Sequence, residues 1–121
     1  MAGQPAKAIS VEPFYTNMWF YHLVNYTPIA PTILDIQRAS AAQFGVPLLS
    51  LVNHKQLAGA SLPRHVAMYL SRQLTTHSIG VIARGFYRNH ATVQYGIKRI
   101  EDLIKSDPEV AAQVAAIRSR F

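Results

Sequence analysis

Val93, Ile97, Ile100 and Ile104 recur at steps of four and three, so they form one apolar stripe along a helix. Asn89 stands just ahead of that run. Its side chain is of the type that accepts hydrogen bonds from the open N–H groups of a first turn, so the helix is expected to begin near His90. Gly96 lies on the side of the stripe, where the lack of a side chain lets a second helix come close. No stretch alternates apolar and polar residues with period two, and no internal repeat is visible. These patterns commit the chain to helices packed on helices.

The other segments read the same way. Thr32, after Pro31, caps a helix whose Ile33, Ile36, Ser40 and Phe44 share a face; Ala41 supports the weak member Ser40, and Gly45 ends it. Val46 to Val52 reads as a short apolar helix, and 53–61 as a loop of polar and small residues. Pro63 opens a helix at its first turn, where a missing N–H costs nothing, and Val66, Met68, Tyr69 and Leu70 carry it to about Thr75. Ser78 caps a short helix, SIGVIARGF, and residues 86–89 turn into the helix at His90. Lys105 to Pro108 breaks that helix and starts a last one through Val110, Val114 and Ile117. The fold class is an all-α small helical bundle, with a helix-turn-helix between about Ser78 and Lys105.

Two regions are expected. Residues 32–121 form the helical domain. Residues 1–31 form an arm holding Phe14, Tyr15, Trp19, Phe20, Tyr21 and Tyr26 without a clean period, closed by Pro28 and Pro31. The arm either packs its rings on the domain or docks a protein partner; both readings stay open.

Charge narrows the function. The net charge is +6 with a pI near 10.0, and no Asp or Glu occurs between Ile36 and Ile100. The same stretch carries Arg38, Lys55, Arg64, Arg72, Arg84, Arg88, Lys98 and Arg99. A long acid-free basic segment suits a polyanion, because neutralising phosphates releases counterions. The apolar run Met18 to Val24 is interrupted by His22 and is far short of the ~20 residues that cross a bilayer. The first residues lack the basic-then-apolar plan of a secretory signal. A cytoplasmic, nucleoid-associated protein with no membrane contact is the expectation.

Catalytic apparatus is not visible. Zero cysteines exclude disulfides, thiolate zinc sites and a cysteine nucleophile. None of the six glycines opens a phosphate-binding loop, and the five histidines show neither HxxxH nor HExxH spacing. No enzyme activity, cofactor or metal is expected. The helix-turn-helix is the better constellation. A recognition helix pushes its N-terminal residues into the major groove. Here that face carries Arg88, Asn89, His90, Ala91, Gln94 and Lys98. Arg and Lys suit guanine or phosphate, and Asn and Gln can pair with adenine.

A more specific signal lies upstream. The run Pro63-Arg64-His65-Val66-Ala67-Met68-Tyr69-Leu70 resembles the PRQ[IV]AMYL signature of the C-terminal DNA-binding domain of the bacterial chromosomal replication initiator DnaA. Leu74-Thr75 and His77-Ser78-Ile79 continue the likeness. Arg88-Asn89-His90-Ala91-Thr92-Val93 resembles that family's RDHTTV, and Lys98-Arg99-Ile100-Glu101 its RKIE. The likeness spans roughly residues 33–120. It implies a Trp-repressor-like all-α domain that contacts double-stranded DNA through a basic loop and the helix-turn-helix. Carried over residue by residue, it implies phosphate contact from Lys55 and Arg72, and a duplex-facing Arg64 and His65. It further implies backbone N–H groups offered by Ser78 and Ile79, and groove contacts from Asn89, His90 and Thr92.

The departures matter too. Gln56 stands where the family has a minor-groove arginine, and Ala91 where it has a threonine. Asn89 replaces an acid, His65 replaces a glutamine, and Tyr87 stands in a turn one residue short where the family has two glycines. Each lost base contact costs ~1–3 kcal/mol, which weakens base reading while sparing phosphate binding. The family's ATP-binding region is not among these residues, so initiation by this chain alone is not expected. Two functions follow: a DNA-binding regulator of replication initiation or transcription, or a protein-interaction module of the initiation machinery whose DNA reading has weakened.

Overall fold

The structure, a computed structural model, describes residues 31–53 and 59–121. The described residues form six helices and no strand: α1 (Ile33–Phe44), α2 (Leu49–Val52), α3 (Ser61–Leu74), α4 (Ile79–Phe86), α5 (His90–Ser106) and α6 (Pro108–Arg118). The all-α helix-turn-helix bundle expected from periodicity is therefore what forms. Residues 1–30 of the N-terminal arm, and Lys55 and Gln56, lie outside the described residues.

The caps sit where the side chains predict them. Thr32 Oγ1 accepts from the Asp35 N–H and Asp35 returns the bond to the Thr32 N–H, both at 3.0 Å. Ser78 Oγ accepts from the Val81 N–H, Asn89 Oδ1 from the Thr92 N–H at 2.8 Å, and Asp107 Oδ1 from the Glu109 N–H ahead of α6. Gly45 ends α1 in the left-handed region (φ 66°), where only glycine is unstrained, and the Val46 N–H closes back on Ala41 O. The same closure ends α4, where Arg88 N–H meets Ala83 O, but the left-handed residue there is Tyr87 (φ 56°). A side chain in that conformation costs ~1–2 kcal/mol.

Two boundaries differ from the sequence reading. The short apolar helix begins at Leu49, not Val46, because Val46 is consumed by the closure of α1 and Pro47 precedes the turn. Helix α3 begins at Ser61, two residues before Pro63, which sits inside the first turn where its missing N–H still costs nothing.

Helix α3 is the centre of the bundle. It packs against all five others, most extensively against α5 and α1. Val66, Ala67, Met68 and Leu70 are fully buried, as are Ile36, Leu51, Ile82, Phe86, Val93, Ile100 and Ile117 from its neighbours. Gln37 Nε2 donates to Gly85 O at 2.9 Å and ties α1 to the end of α4. The α3–α5 contact closes at Gly96. A Cβ there would lie 2.7 Å from His65 Cδ2 and 3.1 Å from Met68 Sδ.

Gly96→Ala tests that contact. The methyl gains up to ~1 kcal/mol of helix propensity but overpacks a buried ring, which costs ~1–3 kcal/mol. The variant is expected to unfold at lower urea than the parent, by up to about 2 kcal/mol of stability net of that gain; a midpoint raised by the propensity gain contradicts the tight approach.

Candidate nucleic-acid interface

The two helices of the helix-turn-helix meet at their N-terminal ends. A Cβ on Gly80, in the first turn of α4, would lie 3.0 Å from His90 Nε2 and 3.7 Å from Ser78 Oγ. The His90 ring therefore rests on the opening turn of α4 because position 80 is glycine. Each opening turn leaves backbone N–H groups without intrahelical acceptors, those of Ile79 and Gly80 in α4 and of His90 and Ala91 in α5. Such ends favour an anion.

The outer face of α5 is polar and open. Asn89, His90, Ala91, Gln94, Tyr95 and Lys98 are exposed, and Thr92 is half-buried. Asn89 uses its carbonyl oxygen for the cap, which leaves its NH2 as a donor facing outward from the helix start. Lys98 pairs with Asp102 at 3.1 Å, which raises its pKa; both groups are exposed, so screening keeps the pair weak. It is the one ion pair within 4 Å among the described residues. Arg72 is exposed at the end of α3, with Nη1 donating to His77 O at 3.0 Å, just before the start of α4.

Two residues placed on the duplex by resemblance point inward instead. Arg64 is 2% exposed: Nε donates to Leu51 O and Nη2 to Ser50 O, so its guanidinium caps the end of α2. Burial, then the nearby Arg88, lowers its pKa, and the group stays cationic. His65 is 6% exposed and lies between α3 and α5. Arg88 is likewise not an open groove residue. Its Nη2 donates to Asn53 O at 2.7 Å and its Nη1 to Phe86 O and Tyr87 O at 3.3 Å, while Nε is buried without a partner. Burial and carbonyl acceptors make Arg64 and Arg88 structural cations that hold the end of α2 and the turn between α4 and α5.

Sequence reasoning missed Arg99, Gly80 and Tyr95. Arg99 Nη1 donates to Ser61 Oγ at 3.2 Å and to His65 Nδ1 at 3.0 Å. A guanidinium only donates, so Nδ1 is the acceptor and the His65 ring proton sits on Nε2. The side chains of Arg64, Arg72, Arg88 and Arg99 are thus oriented by neutral acceptors, with no carboxylate to cancel their charge. Among the described residues no group of three His, Cys, Asp or Glu side chains gathers as metal ligands, and no helix is long and apolar enough to cross a membrane.

The family described as "Bacterial dnaA protein helix-turn-helix" matches residues 33–100, more than half of the chain. The chain belongs to the DnaA helix-turn-helix family. Curated relatives in the DnaA family include the chromosomal replication initiator protein DnaA of Ruegeria pomeroyi, 40% identical over 88 residues, which cover 72% of this chain and 19% of that protein. The DnaA of Cereibacter sphaeroides is 38% identical over the same length, and that of Rickettsia akari 34% over 84 residues, or 69% of this chain and 18% of the relative. The chain spans about a fifth of the length of these DnaA proteins.

The position of His65 carries a pH signature that the glutamine usual in DnaA would lack. Burial first, then Arg99, Arg64 and Arg88, pushes the His65 pKa from 6.5 to about 4. Between those values the unfolded chain binds the extra proton and the folded chain does not, so stability falls as pH drops from 6.5 toward 4. Thermal melts across that range are expected to show the loss, and His65→Gln to flatten it. An identical pH profile in the variant contradicts a buried neutral imidazole.

Proposed function

We propose that this chain binds double-stranded DNA through α4, the turn at Tyr87–Asn89 and α5, with the first two turns of α5 in the major groove. The role proposed is control of replication initiation. The carrying observation is the join of the two helix starts at Gly80 and His90. It sets open N–H groups, Asn89, His90, Ala91, Thr92 and Gln94 on one side of a domain whose Arg64, Arg72, Arg88 and Arg99 are held by neutral acceptors. Membership of the DnaA helix-turn-helix family and the relatives named as replication initiators support this reading.

The side chains divide by task. Asn89 and Gln94 supply amides for base edges. His90, with the backbone at Ser78 and Ile79, meets a phosphate at the junction of the helix starts. Arg72 and Lys98 supply phosphate contacts on either flank, Lys98 by exchanging Asp102 for the phosphate, and Lys55 and Gln56 extend the contact from the loop. Arg64, His65 and Arg88 act from inside, by holding the elements that touch the duplex. Because the chain spans about a fifth of the relatives' length, the proposed part in initiation is occupation of DNA sites rather than an initiator's whole activity.

Anisotropy of a labelled duplex across a salt series tests this directly. Affinity is expected to fall steeply and linearly in a log–log plot. Arg72→Gln should reduce the slope by about one, as removal of a phosphate contact does. Arg88→Gln should weaken binding at an unchanged slope, because its guanidinium is held by carbonyls. No binding at low salt overturns the proposal.

A further inference from the structure

The open face of α5 carries one large side chain without a task in the reading above. Tyr95 is 63% exposed. It lies one turn after Ala91 and three residues before Lys98, so all three share a face. Side chains on a helix lean toward its N-terminus, which sets the Tyr95 ring over the surface beside Ala91. Ala91 offers only a methyl and cannot compete for that space.

The ring is also held. His65 meets it edge to face, with centroids 5.7 Å apart and planes at 78°. His65 is in turn fixed by Arg99 at 3.0 Å and by its seat against Gly96. A chain of contacts from the α3–α5 interface thus braces an aromatic ring that projects from the groove face. A single exposed aromatic needs no explanation in itself. A braced one, placed over the shortest side chain of the proposed reading face, does.

We propose that Tyr95 is a specificity-determining residue of the DNA interface, packing its ring on the 5-methyl group of a thymine in the major groove. This rests on the DNA-binding reading above. Thymine's methyl is the apolar feature among the base edges of that groove, so it is the natural partner of an apolar ring face. The position of Tyr95 in the second turn of α5 sets this contact beside, rather than within, the set made by Asn89 and His90.

The experiment takes the tightest duplex selected from a randomised pool and the same duplex with deoxyuridine in place of thymine. Loss of one contacted methyl is expected to weaken wild-type binding about four-fold. Tyr95→Ala should bind the thymine duplex as weakly as wild type binds the uracil one, and should no longer distinguish the two. Tyr95→Phe should keep the discrimination. All variants should melt within a few degrees of the parent, since the side chain is mostly outside the core. Absence of wild-type binding to any duplex overturns both readings. Wild-type binding indifferent to the methyls, or a Tyr95→Ala variant that still distinguishes them, overturns this inference alone. So does a Tyr95→Phe variant that loses affinity as Tyr95→Ala does, since the contact would then run through the hydroxyl rather than the ring.

Discussion

At Gly96, helix α5 approaches α3 so closely that a Cβ would meet the His65 ring at 2.7 Å. The geometry of the domain depends on that approach. It buries the α5 stripe of Val93, Ile97 and Ile100 against the α3 residues Val66, Met68 and Leu70. It traps a neutral imidazole between the helices and lets Arg99 reach across from α5 to Ser61 and His65 of α3. With α5 fixed in this way, its opening turn meets the start of α4, and His90 settles on Gly80. Two glycines therefore set the angle and depth of the proposed reading helix, one at each of its contacts with the bundle.

The arginines solve a second problem. Burying a cation is costly unless hydrogen bonds replace its water. Arg64 meets that condition with carbonyls of Ser50 and Leu51, at the negative end of the single-turn helix α2, and half-buried Arg88 meets most of it with those of Asn53, Phe86 and Tyr87, its Nε alone left without a partner. These acceptors orient the guanidiniums without cancelling their charge. The result is a rigid frame that keeps its positive field beside the helix-turn-helix, the arrangement a polyanion would complete. A carboxylate in the same places would brace the fold equally well and would repel phosphate.

Much of this was legible in the sequence. Caps at Thr32, Ser78 and Asn89 act locally, so residue type and position nearly determine them. The α5 stripe and the small residue at Gly96 followed from periodicity. The direction of long side chains did not. Arg64 and His65 stand at the start of the signature helix, where charge and resemblance both suggest the duplex; only the arrival of α2 and α5 in space turns them inward. The boundary of α2 failed for a similar reason, because Val46 serves the end of α1 before it can serve the next helix. Tyr95 was missed because it lies off the apolar stripe, and only the arrival of His65 from α3 gives its ring a neighbour. The fold was thus written in short-range patterns, while the division between cations that hold the frame and groups left open was written in tertiary contacts.

On the proposed reading, the side defined by the starts of α4 and α5 meets DNA. Backbone amide shifts followed by NMR during titration with a short duplex test it most directly. The largest changes are expected at Ser78–Gly80 and through the first half of α5, from Asn89 to Lys98, with the α6 amides of Val110, Val114 and Ile117 nearly still. Changes centred on α1 or α6, with the residues around Gly80 and His90 unmoved, would contradict it.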